Sequence, residues 1–223
     1  MSRAIADVGV TAARPAPSIA YTLRIDPSHL DIVDVAIRLE QAPRTVRLAM
    51  KVHPEYDAQY WRYLDSARVE GSANDGSTSI VREDSTVWRV TLPAGRGTVR
   101  YRIHIQPPRG AVRAAWRAFG TPTGALINSP DLFLYPPDFA SLPVTLDLLV
   151  PREWRVATSL APRGTPTGFS APNAAVMLDA PLLLGDLREW AFRDRETTFH
   201  VATGRSRRRR RSTPWPSWTK CGA

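Results

Sequence analysis

With 223 residues, 43% of them hydrophobic and 23% charged, the chain is long enough to bury a core and too apolar to be disordered throughout. Its single cysteine, Cys221, excludes an internal disulfide and a cysteine-based zinc cluster. The formal charge of +9 is uneven, because residues 205–223 contribute +7 with no acid and the rest of the chain carries only +2. We therefore expect a nearly neutral folded body rather than a basic surface that recognises nucleic acid.

Residues 1–18 are predicted to form a flexible leader. Asp7, Arg14, Pro15 and Pro17 interrupt this segment, so it lacks the apolar stretch of a secretory signal. No run in the sequence approaches the roughly 18 apolar residues of a membrane span. These features favour a cytoplasmic protein with no membrane partner.

Alternation of apolar and polar residues predicts the strands in the first half of the body. In one predicted strand the large apolar residues Val33, Val35, Ile37 and Leu39 alternate with Asp34, Ala36 and Arg38. A turn-rich stretch at 71–77 precedes a predicted hairpin. The predicted strands are 21–26, 30–39, 46–52, 79–82, 86–92 and 99–105.

The second half begins with a proline-rich break at 106–110 and a predicted short helix at 111–119. Strand signals then resume at 132–135, 144–150, 154–158, 190–192 and 197–203. About ten short strands joined by turns predict an all-β fold for residues 19–204, either an antiparallel sandwich or a saddle-shaped curved sheet.

The C-terminal residues 205–223 have no apolar periodicity and are predicted to be a disordered basic tail. Its arginines would contact any polyanion through counterion release. Nucleic acid is expected to make only non-specific contacts, because Trp215 and Trp218 stand in a proline-broken segment. The candidate polyanion contacts are Arg207, Arg208, Arg209, Arg210 and Arg211.

The histidines and carboxylates show no recognisable catalytic or zinc-binding spacing. His29, His53, His104 and His200 include no H-E-x-x-H pair, and we interpret His104 and His200 as ordinary sheet residues. His53 is the most suggestive histidine, because carboxylates follow it, but we interpret it as part of a turn that leaves a strand. Spacing singles out no acid–base pair among the carboxylates Asp131, Asp138, Asp179 and Asp186. An aromatic cluster is interpreted as packing one sheet face rather than binding a ligand; it consists of Tyr56, Tyr60, Trp61 and Tyr63.

Two segments give the chain a family resemblance. Trp154-Arg-Val-Ala157-Thr158-Ser-Leu160 is followed by Leu178-Asp179-Ala-Pro181, after the strand patterns already described. In this order they resemble the N-terminal domain of the glycyl aminopeptidases, the M61 peptidases, which are gluzincin zinc enzymes that usually end in a PDZ domain. The resemblance extends from about Tyr21 to Thr203, and departs from the family's W-x-P-G-x-Y turn at residues 52–56.

The resemblance implies a saddle-shaped β-domain that packs on a thermolysin-like catalytic domain and helps close its substrate cleft. In the family, zinc is held by H-E-x-x-H and a later glutamate, all beyond this domain. We therefore expect no catalytic residue, metal ligand or cofactor site in this chain, and the catalytic domain as its partner.

Three hypotheses follow. The first is a truncated or frameshifted peptidase product, since arginine, proline, serine and tryptophan runs like the tail are typical of a GC-rich gene read out of frame. It predicts an exposed apolar surface that promotes association. The second is a stand-alone protein- or peptide-binding β module with a polyanion-binding tail. The third is a small hydrolase centred on His53, Glu55 and Asp57.

Overall fold

The computed structural model describes residues 16–52, 60–71, 76–105 and 118–204. Within these ranges the chain forms a short α-helix, α1 (Ala174–Asp179), three 3-10 helices (Tyr60–Tyr63, Ser129–Asp131 and Pro137–Phe139) and seventeen strands. In chain order the strands are β1 (Ser18–Ile25), β2 (Ile32–Glu40), β3 (Thr45–Met50), β4 (Leu64–Glu70), β5 (Ser79–Arg82), β6 (Val87–Thr91), β7 (Gly97–His104), β8 (Phe119–Thr121), β9 (Gly124–Ile127), β10 (Leu134–Tyr135), β11 (Val144–Leu149), β12 (Arg155–Thr158), β13 (Ala161–Arg163), β14 (Thr165–Ala171), β15 (Leu182–Gly185), β16 (Leu187–Asp194) and β17 (Thr197–Gly204).

The strands form four sheets. The largest has seven strands in the order β13-β14-β11-β1-β2-β7-β4, and its pairs are antiparallel except for β1 with β11. Two four-stranded sheets have the orders β10-β3-β6-β5 and β12-β15-β9-β8. The remaining sheet is the hairpin β16-β17. The predicted all-β fold class is therefore confirmed.

Several strands had no signal in the sequence, which explains why seventeen are observed and about ten were expected. The β4 strand is interrupted at Ser66, which has a φ of 56°, and its pairing with β7 shifts register there. A bulge of this kind destroys strict alternation. The other unpredicted strands are short or lack alternation: β8, β9, β13, β14 and β15.

Some expectations fall at the edge of the described ranges or outside them. The β1 strand begins at Ser18, the last residue of the predicted leader, and residues 1–15 lie outside the described part of the chain. Most of the predicted helix at 111–119 also lies outside it, and Phe119 begins β8. The predicted tail, 205–223, follows the last described residue.

Alternation along β1, β2 and β7 decides which face of the large sheet is buried. Tyr21, Val35 and Tyr101 point into the core and are at most 2% exposed. The opposite face is polar, and its charges pair across strands, as in Arg102 with Asp34 at 3.2 Å. Such exposed pairs contribute little to stability. Burial of the inward-facing apolar side chains is therefore the dominant favourable contribution of this sheet to the free energy of folding.

Two buried tyrosines join the large sheet to the segment that leads into β10. The Tyr101 hydroxyl donates to the carbonyl oxygen of Leu132 at 2.9 Å and accepts from the amide of Leu134 at 3.0 Å. The Tyr21 hydroxyl donates to the carbonyl oxygen of Leu134 at 3.1 Å, and its ring meets Phe133 edge-on at 5.5 Å. These bonds satisfy backbone groups that are shielded from water by the core.

Replacing Tyr101 by phenylalanine should destabilise the domain more than the same change at Tyr21. Tyr101→Phe leaves two buried backbone groups without their hydroxyl partner and should cost about 2 kcal/mol, whereas Tyr21→Phe removes one bond and should cost about 1 kcal/mol. Equilibrium urea unfolding measures both. Tyr135→Phe is the control, since its hydroxyl has no hydrogen bond to another described residue. Equal values for all three variants would contradict the role of the hydroxyls.

The same tyrosines should make the domain sensitive to alkaline pH. Burial raises the pKa of both hydroxyls above the ordinary value of about 10, and Tyr21 adds an unfavourable charge interaction at Tyr101. Because the folded-state pKa is the higher one, the stabilisation is complete below about pH 10 and is lost as the pH rises through and beyond that value. The free energy of unfolding should therefore fall between pH 9 and pH 11.5, and the double variant Tyr21→Phe, Tyr101→Phe should fall less steeply. Parallel slopes for the two proteins would disprove this origin.

Candidate functional site

The hairpin formed by β16 and β17 is exposed along most of its length. Leu187 is its only residue classed as buried. In the antiparallel register Trp190 lies opposite Val201 and Phe192 lies opposite Phe199, so these four side chains share one face. Trp190, Phe192 and Phe199 are 50%, 52% and 44% exposed. We call these four residues the apolar face of the hairpin.

The apolar face is internally ordered. The rings of Phe192 and Phe199 stack with their centroids 5.0 Å apart and their planes 9° from parallel. A stacked cross-strand pair stabilises a two-stranded ribbon, which is otherwise marginal. Three aromatic side chains exposed by about half present on the order of 300 Å² of apolar surface. A patch of this size on a soluble domain is often a contact site.

The other face of the hairpin turns toward the body. Glu189, Ala191 and His200 lie on it, and the Glu189 carboxylate forms an ion pair with Arg155 of β12 at 3.2 Å. Between β12 and the hairpin is an open cleft of about 550 Å³. Leu160, Pro162 and Phe169 line it on the side of the body, and Trp190 of the apolar face also borders it.

A close approach between β9 and β15 fixes where the hairpin leaves the body. Gly185 has a φ of +131°, and a Cβ there would meet the carbonyl oxygen of Thr123 and the Cα of Gly124. The next residue, Asp186, donates its amide to the carbonyl oxygen of Thr123 at 2.9 Å. Only glycine fits this backbone.

The histidines singled out in the sequence are not brought together. His29 lies in the turn between β1 and β2, His104 ends β7, and His200 lies on the hairpin. His104 is 3.7 Å from the carboxylate of Asp65, and both side chains are largely exposed. Hydrogen bonds from Ser66 hold the pKa of the Asp65 carboxyl below its usual value, with a smaller contribution from His104. His104 and His200 are thus sheet residues, as interpreted from the sequence.

The carboxylates singled out in the sequence are also dispersed. Asp131 is buried and accepts from the Ala118 amide at 3.3 Å and from the Asn128 side chain at 2.8 Å, so it holds backbone together. Asp138 lies in a 3-10 helix, Asp179 ends α1, and Asp186 follows β15. Among the described residues, no three His, Cys, Asp or Glu side chains form a group that could hold a metal ion.

The aromatic cluster packs on the core. Tyr60 is buried, and Trp61 and Tyr63 pack partly buried against the core. The Arg82 guanidinium lies 5.0 Å from the Trp61 ring and 5.2 Å from the Trp88 ring, which joins the two indoles through a cation–π contact. The candidates that lie outside the described residues are His53, Glu55, Tyr56, Asp57 and Arg207, Arg208, Arg209, Arg210 and Arg211.

Solved structures share the fold of this chain. The aminopeptidase N family protein from Idiomarina loihiensis matches with a TM-score of 0.72 and 22% identity over 84% of this chain and 32% of that chain. The M1 zinc metallopeptidase from Deinococcus radiodurans matches with a TM-score of 0.41 and 15% identity, over 91% of this chain and 49% of that chain. Native leukotriene A4 hydrolase from Saccharomyces cerevisiae matches with a TM-score of 0.41 and 14% identity, over 78% of this chain and 29% of that chain. The first match shows a fold that occurs as one part of a larger chain, of which this chain spans about a third.

The family follows from the sequence itself. The chain belongs to the peptidase M61 N-terminal domain family, whose model matches residues 20–186. The resemblance seen at Trp154–Leu160 and Leu178–Pro181 is thereby confirmed. No curated protein matches this chain.

The zinc ion of the related peptidases does not fit the described residues of this chain. A zinc site requires at least three suitably placed protein ligands, and the described His, Asp and Glu side chains are dispersed.

None of the described helices has the length and apolar character needed to cross a membrane.

The apolar face was not identified as a site from the sequence, although a signal was present. Trp190 and Phe192 alternate in one strand, and Phe199 and Val201 alternate in the other, separated by a short polar turn. This pattern predicts a hairpin with one apolar face. Only the fold shows that this face is turned away from the core.

The glycine at the base of the hairpin should be essential for stability. Gly185→Ala should destabilise the domain by about 1–3 kcal/mol, because a Cβ would collide with backbone and alanine disfavours the observed φ. Gly204→Ala is the matched control at the other end of the hairpin base, where a Cβ meets nothing within 4 Å. Thermal and urea unfolding compare the two. A stable Gly185→Ala protein would show that this backbone conformation is not required.

Proposed function

We propose that this domain is a non-catalytic N-terminal β-domain that packs on a zinc metallopeptidase catalytic domain and helps to shape its substrate cleft. The observation that carries the proposal is the exposed apolar face of the hairpin. The hairpin begins at Leu187, directly after residue 186, where the match to the peptidase N-terminal domain family ends. A partner that continues from this domain would meet the hairpin first.

The composition of the face supports a protein partner. Aromatic residues with few charges are typical of the centres of protein interfaces. At about 25 cal/mol per Å², burial of roughly 300 Å² would contribute about 7 kcal/mol before any cost of association. Association of separate molecules costs about 4–15 kcal/mol. The face is therefore better suited to a domain held nearby by a covalent link than to a free protein.

The chemistry is assigned to the partner. In this proposal the zinc ion and its ligands belong to the catalytic domain, and the present domain binds no cofactor of its own. Its contribution is a rigid wall beside the substrate cleft. In this role the seven-stranded sheet supports the hairpin through Pro162 and Phe169, which line the cleft beside it.

A domain exchange tests the proposal. Residues 16–204 would replace the matched third of the Idiomarina loihiensis protein, and calorimetry would follow unfolding of the chimera. We expect one cooperative transition, because domains with a shared interface unfold together. Phe192→Ser with Phe199→Ser should lower the transition by about 5 °C or more, or divide it in two.

The control is Leu149→Ser, which alters an equally exposed apolar residue on the outer face of β11. It should leave the transition unchanged. Two independent transitions in the unsubstituted chimera would reject docking of the domains. A single transition that is insensitive to the hairpin changes would reject the apolar face as the contact.

A further inference from the structure

The cleft between β12 and the hairpin is a second surface, which shares only Trp190 with the apolar face. β12 is the terminal strand of its sheet, and it pairs with β15 along one edge only. Among the described residues no strand pairs with its other edge. That edge therefore presents backbone N–H and C=O groups without a ladder partner.

The unpaired edge opens into the cleft. All four residues of β12, from Arg155 to Thr158, line it. Successive side chains of a strand point to opposite faces, so a surface that touches every residue in turn runs along the strand edge. Val156 packs against the core. Ala157 therefore lies on the same face as Arg155, whose side chain reaches Glu189 of the hairpin.

This edge also lacks the features that normally block pairing. β13, at one end of the seven-stranded sheet, contains Pro162 and a register shift. β4, at the other end, has the bulge at Ser66. β12 has neither proline nor bulge and pairs with β15 in unbroken register. Its one charged residue, Arg155, is engaged by Glu189.

We propose that this cleft binds an extended peptide segment, which adds to the free edge of β12 as a further strand. The unpaired backbone selects another backbone in β conformation as its occupant. Leu160, Pro162 and Phe169 form an apolar wall that selects an aliphatic or aromatic side chain on the peptide. The volume of about 550 Å³ lies in the range of ligand sites.

The shape of the cleft favours a single strand over a folded partner. The hairpin stands on the opposite side of the cleft and is tied to β12 by the ion pair of Arg155 and Glu189. A second copy of this chain would have to bring a whole sheet edge past the hairpin. An extended peptide needs only the spacing of about 4.8 Å between paired strands.

The test uses a phage-displayed library of random dodecamer peptides selected on the whole chain. The selected peptide would be synthesised and its Kd measured by calorimetry. Ala157→Arg, which fills the cleft without touching the core face of β12, should weaken binding at least tenfold. Ala161→Arg is the matched control: it lies on exposed β13, outside the cleft lining, and should change the Kd less than twofold.

Nuclear magnetic resonance on the unsubstituted protein gives an independent readout that does not depend on variant folding. The largest amide shifts on peptide addition should fall on Arg155 to Thr158. Failure to select any peptide would overturn the proposal, as would equal binding by Ala157→Arg and Ala161→Arg. Binding abolished by Phe192→Ser and Phe199→Ser but kept by Ala157→Arg would place the peptide on the apolar face and also overturn it. None of these outcomes bears on docking of a catalytic domain, which the chimera tests separately.

Discussion

The hydrogen bonds that Tyr21 and Tyr101 make to the backbone of Leu132 and Leu134 are the interaction on which the rest of the fold depends. The segment from Ile127 to Tyr135 runs through the interior and is shared by three sheets: it ends β9, receives the two tyrosines of the large sheet, and forms β10 against β3. β10 has only two residues, so ladder pairing alone cannot satisfy the buried backbone. The tyrosine hydroxyls form hydrogen bonds with the buried backbone groups that the ladder leaves unpaired.

The start of the same segment is held by polar side chains. Asp131 binds the amide of Ala118 and the side chain of Asn128, and the Ser129 hydroxyl donates to the carbonyl oxygen of Ala180, just before β15. The segment thereby positions β15, and β15 leads through Gly185 to the hairpin. The placement of the candidate site is in this way a consequence of packing deep in the core.

The sequence predicted the parts of the fold in which one physical rule acts alone. Strict alternation in β2 and β7 reports one buried and one wet face, and both strands were found within two residues of their ends. β15 reads Leu-Leu-Leu-Gly and is buried at three of its four positions, so no alternation exists to be read. β9 and β8 depend on glycines that allow backbones to approach closely, as at Gly124, and a long-range contact of that kind leaves no periodic trace.

The candidate site was only partly predictable for a similar reason. Both arms of the hairpin were predicted as strands. Alternating apolar residues in a sequence normally predict a face that is buried, whereas the apolar face of this hairpin is exposed. The cleft depends on the edge position of β12, and edge position is a property of sheet order. The Trp154–Leu160 motif that carried the family resemblance contains β12, so sequence similarity marked the strand without revealing its open edge.

The two faces of the hairpin differ in the kind of partner that their chemistry can hold. The apolar face offers non-directional attraction over a flat patch, which suits a large surface that is already nearby, since gross burial energy only matches the cost of association. The cleft behind it is narrow and presents directional backbone hydrogen-bonding groups. It therefore selects a partner by its extended backbone conformation and not by the area of its surface. A ribbon tied to the body by Gly185 and by the Arg155–Glu189 pair can serve both, because successive residues of a strand face opposite sides and the apolar face shares only Trp190 with the cleft. Docking of a domain on one side would then stiffen the wall against which a peptide lies on the other, which couples the two surfaces through one short piece of backbone.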